Sequence, residues 1–226
     1  MENKIAVITG GTKGIGKALV NRFLKENYIV FTTARKRGDL KENSKLHFYE
    51  ADLSNKDEVI SFAEFILSKA PKIDVLINNT GVFIPGQIFS EDEGSLELQI
   101  NTNLYSAYHL TRKLLPLMID HKKGQIFNIC SIASITPYNN GGSYSISKYA
   151  MYGMTKCLRE EMKEFGIKVI AVLPGATYTS SWEGVKIDEN RLMPPADIAH
   201  AIYETSTLSD RTVIEDLILR PQLGDL

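Results

Sequence analysis

Short apolar runs that alternate with segments of helical spacing predict an α/β fold: a parallel sheet wrapped by helices on both faces. Two observations carry this. The strand-like runs, Ile73–Asn78 among them, are apolar almost throughout, as strands covered on both faces are. Between them lie amphipathic segments such as Gly14–Glu26, which places Ile15, Leu19 and Phe23 on one side.

Taken in order, Lys4–Thr9 reads as the first strand, Gly14–Glu26 as a helix, Tyr28–Thr33 as the second strand and His47–Ala51 as the third. Asn55–Lys69 keeps helical spacing through Val59, Ile60, Ala63, Ile66 and Leu67, and Ile73–Asn78 is the fourth strand. A long helical stretch runs from Glu91 to His121, with a break expected near Asn103. Gln125–Ser131 is the fifth strand, Tyr144–Phe165 a helix, Ile167–Leu173 the sixth strand, Ala196–Ser206 a helix and Val213–Leu219 the last strand. No repeat, low-complexity tract or linker interrupts the series, so residues 1–226 are expected to form a single domain.

Composition removes several function classes. The 26 basic and 27 acidic residues nearly cancel, which implies neither a nucleic-acid nor an anionic-membrane partner. No apolar run approaches the roughly 18 residues of a membrane span. The start, MENKIAVITGG, is too short in apolar residues for a signal-peptide core. Cys130 and Cys157 sit in apolar surroundings, suggesting neither a disulfide framework nor a metal cluster. His47, His109, His121 and His200 are scattered. A soluble cytoplasmic protein without a metal is the expectation.

Two stretches carry chemistry. The first is Thr9-Gly10-Gly11-Thr12-Lys13-Gly14-Ile15-Gly16, between the first strand and the first helix. Glycines there permit a tight turn, let backbone approach a pyrophosphate and let helix pack on strand. The helix start then offers N–H groups and a positive dipole end to phosphates. This context sharpens the fold to a Rossmann-like, doubly wound parallel sheet in a single domain.

The second stretch is Ile129–Tyr149, with Tyr144 and Lys148 four residues apart and Ser131 thirteen residues before Tyr144. On a helix that starts near Tyr144, phenol and ammonium share a face. A phenol beside a fixed positive charge ionises more readily, which suits it to proton transfer. Ser131 closes the strand KGQIFNICS, with its hydroxyl available to a carbonyl oxygen. A tyrosine and lysine at this spacing also occur by chance in helices, and Ser134, Ser143, Ser145 and Ser147 are competing serines.

The G-xxx-G-x-G spacing, followed by Ser131, Tyr144 and Lys148, resembles the short-chain dehydrogenase/reductase family in its single-domain form. Further motifs fall in order over nearly the whole chain. Asp52-Leu53 follows the third strand, where the family's aspartate contacts adenine. Asn78-Asn79-Thr80-Gly81 is similar to the family's NNAG, with Thr80 in the alanine place, close to where the adenosine half should lie. Asn103 matches the asparagine that completes a tetrad with serine, tyrosine and lysine, with Asn101 as a competitor. Pro174-Gly175, then Thr177 and Thr179, matches the stretch beside the nicotinamide.

The resemblance implies a hydride transfer between NADP(H) and a carbonyl or alcohol substrate. In it, Tyr144 is the general acid/base, Lys148 tunes it and holds the nicotinamide ribose, Ser131 binds the carbonyl oxygen, and Asn103 fixes a water near Lys148. The cofactor residues it implies are Gly10, Thr12, Lys13, Gly14, Ile15, Gly16, Arg35, Asp52, Leu53, Asn79, Gly81, Tyr144, Lys148, Pro174, Gly175, Thr177 and Thr179. NADP(H) over NAD(H) follows from Ala34, where NAD-preferring relatives carry an acid, and from Arg35 and Lys13, which suit a 2′-phosphate.

Residues 175–194 are the substrate-covering loop of such relatives and hold the only tryptophan, Trp182, either a substrate wall or the anchor of the loop. Phe83, Ile84, Tyr138 and Tyr178 are pocket residues by position, while Lys186 and Arg191 are the basic residues nearby. The substrate stays open among a ketone, an aldehyde, a 3-oxoacyl thioester and a 3-hydroxy acid. The helices Leu104–Ile119 and Tyr144–Phe165 have wide apolar faces (Tyr108, Leu115, Met151, Met154, Leu158, Met162), which read by themselves as mostly core-facing stripes. In relatives these helices meet between subunits, which implies a homodimer or homotetramer. Two other readings stand beside this one: a non-catalytic NADP(H)-binding regulator of the same fold, and an epimerase or dehydratase acting on nucleotide sugars.

Overall fold

The computed structural model describes residues 3–179, 182, 184 and 186–225. Its strands are β1 (Ile5–Thr9), β2 (Ile29–Ala34), β3 (Leu46–Glu50), β4 (Val75–Asn78), β5 (Gly124–Ile129), β6 (Ile167–Pro174) and β7 (Asp216–Leu219). They form one seven-stranded parallel sheet in the order β3-β2-β1-β4-β5-β6-β7. The helices are α1 (Gly14–Lys25), α2 (Lys56–Leu67), α3 (Ser95–Ile100), α4 (Ser106–Asp120), α5 (Gly142–Met162) and α6 (Pro195–Ser206).

Two apolar layers flank the sheet, and strand alternation assigns each side chain to one of them. Val7, Phe31, Leu76 and Ile126 face α2 and α4, packing on Phe62, Ile66, Leu110, Leu114 and Met118. Ala6, Ile8, Val30, Ile77 and Phe127 face α1 and α6, packing on Leu19, Val20, Phe23, Ile198 and Ile202. Both faces are covered, so no polar residue is needed on alternate positions; this is why the strands read as unbroken apolar runs.

The chain steps outward from β1 to β3, then returns to β4 on the other side of β1. That reversal leaves a crevice at the carboxyl ends of β1 and β4, where ligands bind in sheets of this kind. The glycine turn after β1 and the segment Asn79–Gly81 after β4 both open onto it.

Several boundaries differ from the sequence expectation. The stretch Glu91–His121 does break near Asn103, where a π turn interrupts it, but its start differs. It is α3, a π turn over Asn101–Tyr105, and α4, and it starts only after Gly94, whose φ of +84° belongs to no right-handed helix. The last strand begins at Asp216 rather than Val213, because Val213 is exposed and Ile214 pairs with no strand, whereas the Glu215 carbonyl is the first to accept from β6. Cys157 is exposed, while Cys130 is buried as its apolar neighbours suggest. No described helix is long and apolar enough to cross a membrane.

Candidate active site

The glycine turn is held by backbone packing that a side chain would disrupt. A Cβ on Gly16 would lie 2.1 Å from the Gly10 carbonyl oxygen, and one on Gly11 would lie 2.0 Å from Thr32 Oγ1. Gly10 and Gly14 adopt φ of +67° and +49°, a region L side chains avoid. No side chain caps the start of α1, and no acidic residue occupies its first turn. The positive helix end therefore faces the crevice uncompensated, ready for an anionic group.

Asn79 stitches this turn to β4. Its side-chain amide donates to the Thr9 carbonyl at 2.8 Å and the Gly10 carbonyl at 3.3 Å. The backbone N–H groups of Asn79 and Thr80 both donate to Thr9 Oγ1 at 2.9 Å. The Thr80 hydroxyl is turned in against Gly10 and has no hydrogen-bond partner, so its extra bulk is spent on the wall of the turn. Asn78 belongs to the interior instead, donating to Asn128 Oδ1 at 2.8 Å and Thr111 Oγ1 at 3.0 Å.

At the next strand end, Asp52 Oδ1 accepts from the N–H and hydroxyl of Ser54 at 3.0 and 2.8 Å, and Leu53 is packed in the core, leaving only its backbone for a ligand. Ala34 closes β2; Arg35 and Lys13 are exposed, and among the described residues neither pairs with an acid. Arg37, which no motif singles out, follows in the same loop and lies 5.8 Å from the ring centroid of Phe48 on β3. Pro174 ends β6, and Gly175 N–H donates to the Leu219 carbonyl at 2.8 Å. Thr177 Oγ1 donates to the Gly175 carbonyl at 2.9 Å. Thr179 lies over the glycine turn, 3.0 Å from where a Gly14 Cβ would stand.

Ser131 follows β5 and caps a short turn over Ile132–Ser134. Its Oγ accepts the Ala133 N–H at 3.1 Å, which occupies a lone pair and leaves the O–H to donate outward. Ser134 is not a rival: it is fully buried and its hydroxyl accepts the Ser131 N–H at 3.1 Å. The neighbouring Cys130 thiol is pushed up to about 11 by burial and stays protonated, which removes it as a nucleophile.

Tyr144 and Lys148 sit on the first turns of α5. Lys148 is only 4% exposed; its Nζ donates to the Ile129 carbonyl at 2.8 Å and lies 5.8 Å from the Tyr144 ring centroid. A Cβ on Gly81 would stand 3.5 Å from that Nζ and 3.3 Å from Asn103 Oδ1, so a side chain there would crowd the space beside the ammonium. Lys148 has three donors and uses one, with no carboxylate beside it among the described residues. A buried cation left so needs further acceptors, which sugar hydroxyls supply. The site thus fits a dinucleotide with phosphates at α1 and a ribose at Lys148.

Asn103 occupies the π turn and is buried, whereas its competitor Asn101 is partly exposed. Both ends of its side chain are engaged: Oδ1 accepts the Val82 N–H at 2.7 Å, and Nδ2 donates to the Val82 carbonyl at 3.0 Å and to Ser147 Oγ at 2.8 Å. Ser147 is thereby a structural partner rather than a competing active-site serine.

Phe83 sets its ring edge to face with Tyr144 at 5.0 Å, and Tyr138 lies 6.4 Å beyond Phe83. The Tyr138 phenol is pushed above its ordinary range by desolvation and, secondarily, by Tyr144, so it stays neutral. Ile84 is tied by its backbone to Gln99, and Tyr178 OH donates to Glu189 at 3.0 Å. Of the 175–194 loop, residues 180, 181, 183 and 185 lie outside the described residues. Lys186 and Trp182 are described, with no hydrogen bond or ion pair between the Trp182 or Lys186 side chain and the described residues of the site. Among the described residues no cluster could hold a metal ion.

Residues 4–190 match the family model described as short chain dehydrogenase. The chain is 30% identical to the sepiapterin reductase of Chlorobaculum tepidum, covering 98% of both chains. It is 33% identical to the 3-ketodihydrosphingosine reductase of Bacteroides thetaiotaomicron over 84% of this chain and 70% of that protein. It superposes with a TM-score of 0.87 on a structure of ElxO with NADP bound, at 27% identity and covering 96% of this chain and 97% of that one. A glycine turn, a Tyr144–Lys148 pair and a seven-stranded parallel sheet therefore stand together on a chain that belongs to the short-chain dehydrogenase family of oxidoreductases.

Proposed function

We propose that this chain is an NADP(H)-dependent carbonyl reductase or alcohol dehydrogenase in which Tyr144 transfers the proton. The observation that carries the reading is the buried Lys148, held by the Ile129 carbonyl beneath the Tyr144 ring with two donors left over. When bound, the nicotinamide supplies or accepts the hydride.

Every other part of the reaction falls to this chain. Ser131, its lone pair occupied by Ala133 N–H, donates its O–H to the carbonyl oxygen and stabilises the charge that grows there. Tyr144 gives that oxygen its proton in reduction and removes it in oxidation. Lys148 places positive charge beside the phenol and holds ribose hydroxyls. Asn103 locks the π turn to α5 through Ser147 and keeps Lys148 in register. The loop over 175–194 covers the substrate and excludes water.

Preference for NADP(H) is supported by the exposed, unpaired Lys13 and Arg35 and by Ala34 in place of an acid at the end of β2. The NADP bound to the similar ElxO supports it too. Phe83 and Tyr138 line the approach to Tyr144 with aromatic rings, so sepiapterin and 3-ketodihydrosphingosine, the compounds named in its relatives, belong in the first substrate panel. Exposed Tyr105 and Tyr108 on the α4 side, with Ile146 and Tyr149 on α5, support a homodimer or homotetramer, which light scattering checks.

The test follows cofactor absorbance while carbonyls and alcohols are offered with NADPH, NADP, NADH and NAD in turn. Turnover with a clear NADP(H) preference is expected. NADPH binding with no turnover across the panel would make the chain a regulator, and a clear NAD(H) preference would overturn the cofactor reading.

A further inference from the structure

The segment between β4 and α3 grips the start of α5 at three consecutive residues. Gly86 pairs with Gly141 in a parallel bridge, donating to the Asn140 carbonyl at 2.9 Å and accepting the Gly142 N–H at 3.0 Å. Ile88 lies over Gly142, 3.0 Å from where a Cβ there would stand. Glu91 then takes both the hydroxyl of Ser143 and, at 3.4 Å, its backbone N–H. The next residue is Tyr144.

The start of α5 has no cap of its own. Gly141 provides no side-chain cap, and no acidic residue lies in the first turn. The unpaired N–H groups and positive dipole end there call for an acceptor, preferably anionic. Glu91 supplies it from 52 residues earlier in the chain, to a serine with no exposed surface. A charge-assisted hydrogen bond to a desolvated partner is stronger than one in water. The same segment lays Phe83 against the Tyr144 ring. Position and ring packing of the phenol are thus set by one loop, in which Glu91 is the side-chain anchor beside the Gly86 backbone bridge.

The geometry points to Glu91 as a positioning residue that acts through Ser143 to aim the Tyr144 hydroxyl. The inference rests on the reading of Tyr144 as the proton donor. Because a misplacement near 1 Å can cost about 100-fold in rate, loss of this latch lowers kcat rather than binding.

The test compares wild type with Glu91→Ala, Glu91→Gln, Ser143→Ala and Tyr144→Phe, using isatin as the ketone and following NADPH oxidation, NADPH affinity by fluorescence, and Tm. Amide exchange of Ser143 and Tyr144 is measured on the same variants without substrate. Glu91→Ala is expected to lower kcat by about tenfold or more while KM and NADPH affinity hold within about twofold, and to speed exchange in the first turn of α5 alone. Glu91→Gln, which can still accept the Ser143 N–H, should recover most of the rate. The Glu91→Ala/Ser143→Ala pair should be no worse than either single variant, as partners in one contact are.

Unchanged exchange at Ser143 and Tyr144 in Glu91→Ala overturns the latch, whatever the turnover. So does a wild-type kcat, or a fall in NADPH affinity and Tm that matches the fall in kcat. A Tyr144→Phe variant that keeps full rate sinks the underlying reading instead, so the two failures are told apart.

Discussion

The side-chain amide of Asn103 donates to Ser147 Oγ at 2.8 Å, and Ser147 Oγ donates in turn to the Tyr144 carbonyl at 2.7 Å. A π turn on one element is thereby joined to the first turn of α5, with Lys148 the next residue along. Asn103→Ala removes this link together with both hydrogen bonds to Val82. Leaving these partly buried groups unsatisfied should cost roughly 2 kcal/mol. Thermal unfolding should show a Tm lower by about 5 °C for a chain of this size. A Tm within about 1 °C of wild type would contradict the assignment of these contacts as structural.

Tyr144→Phe keeps the ring against Phe83 and removes only the hydroxyl. Loss of a proton donor of this kind should lower kcat by about 10²–10⁴-fold. Affinity for NADPH, measured by fluorescence, should stay within about twofold, since Lys148 and the glycine turn are untouched.

Lys13, within the glycine turn, and Arg35, just after β2, are exposed and without acidic partners among the described residues. The Lys13→Ala/Arg35→Ala double variant should weaken NADPH by about tenfold or more, because a charged hydrogen bond is worth roughly 1.5–3 kcal/mol. NADH affinity should hardly move. Equal weakening of both cofactors would mean that neither side chain reads the 2′-phosphate.

His47 stacks on Phe31 with ring centroids 4.7 Å apart, and burial, then Lys69, lowers its pKa below the ordinary value of 6.5. The unfolded chain therefore binds a proton more readily than the folded one. Its contribution to stability is full above pH 6.5 and falls as pH drops from there to the folded value. His109 shifts the same way, with burial the main cause. Tm recorded between neutral and mildly acidic pH should decline, and His47→Gln should flatten part of that decline. An identical slope in the variant would rule out His47 as a contributor.

How much of this was legible in the chain differs by kind of feature. Periodicity located every strand and the helices α1, α2, α5 and α6 to within a few residues, because each buries a face whose spacing is written locally. It placed a break near Asn103, where the π turn lies, yet began that helical stretch at Glu91, ahead of Gly94. It also carried the last strand back to Val213, whose apolar character finds no neighbouring strand to pair with.

The amino-acid sequence alone determined the parallel sheet, the glycine turn and the presence of a tyrosine and a lysine one helical turn apart, because these depend on local spacing. Tertiary structure decided what each polar group spends its bonds on. Ser131 is left with a free O–H because Ser134 and Ala133 satisfy its other needs. Ser147 and Ser143, equal to Ser131 as letters, are taken by Asn103 and Glu91. Such partners lie tens of residues away in the chain, and only the packing of α5 on the strand ends brings them within hydrogen-bond reach.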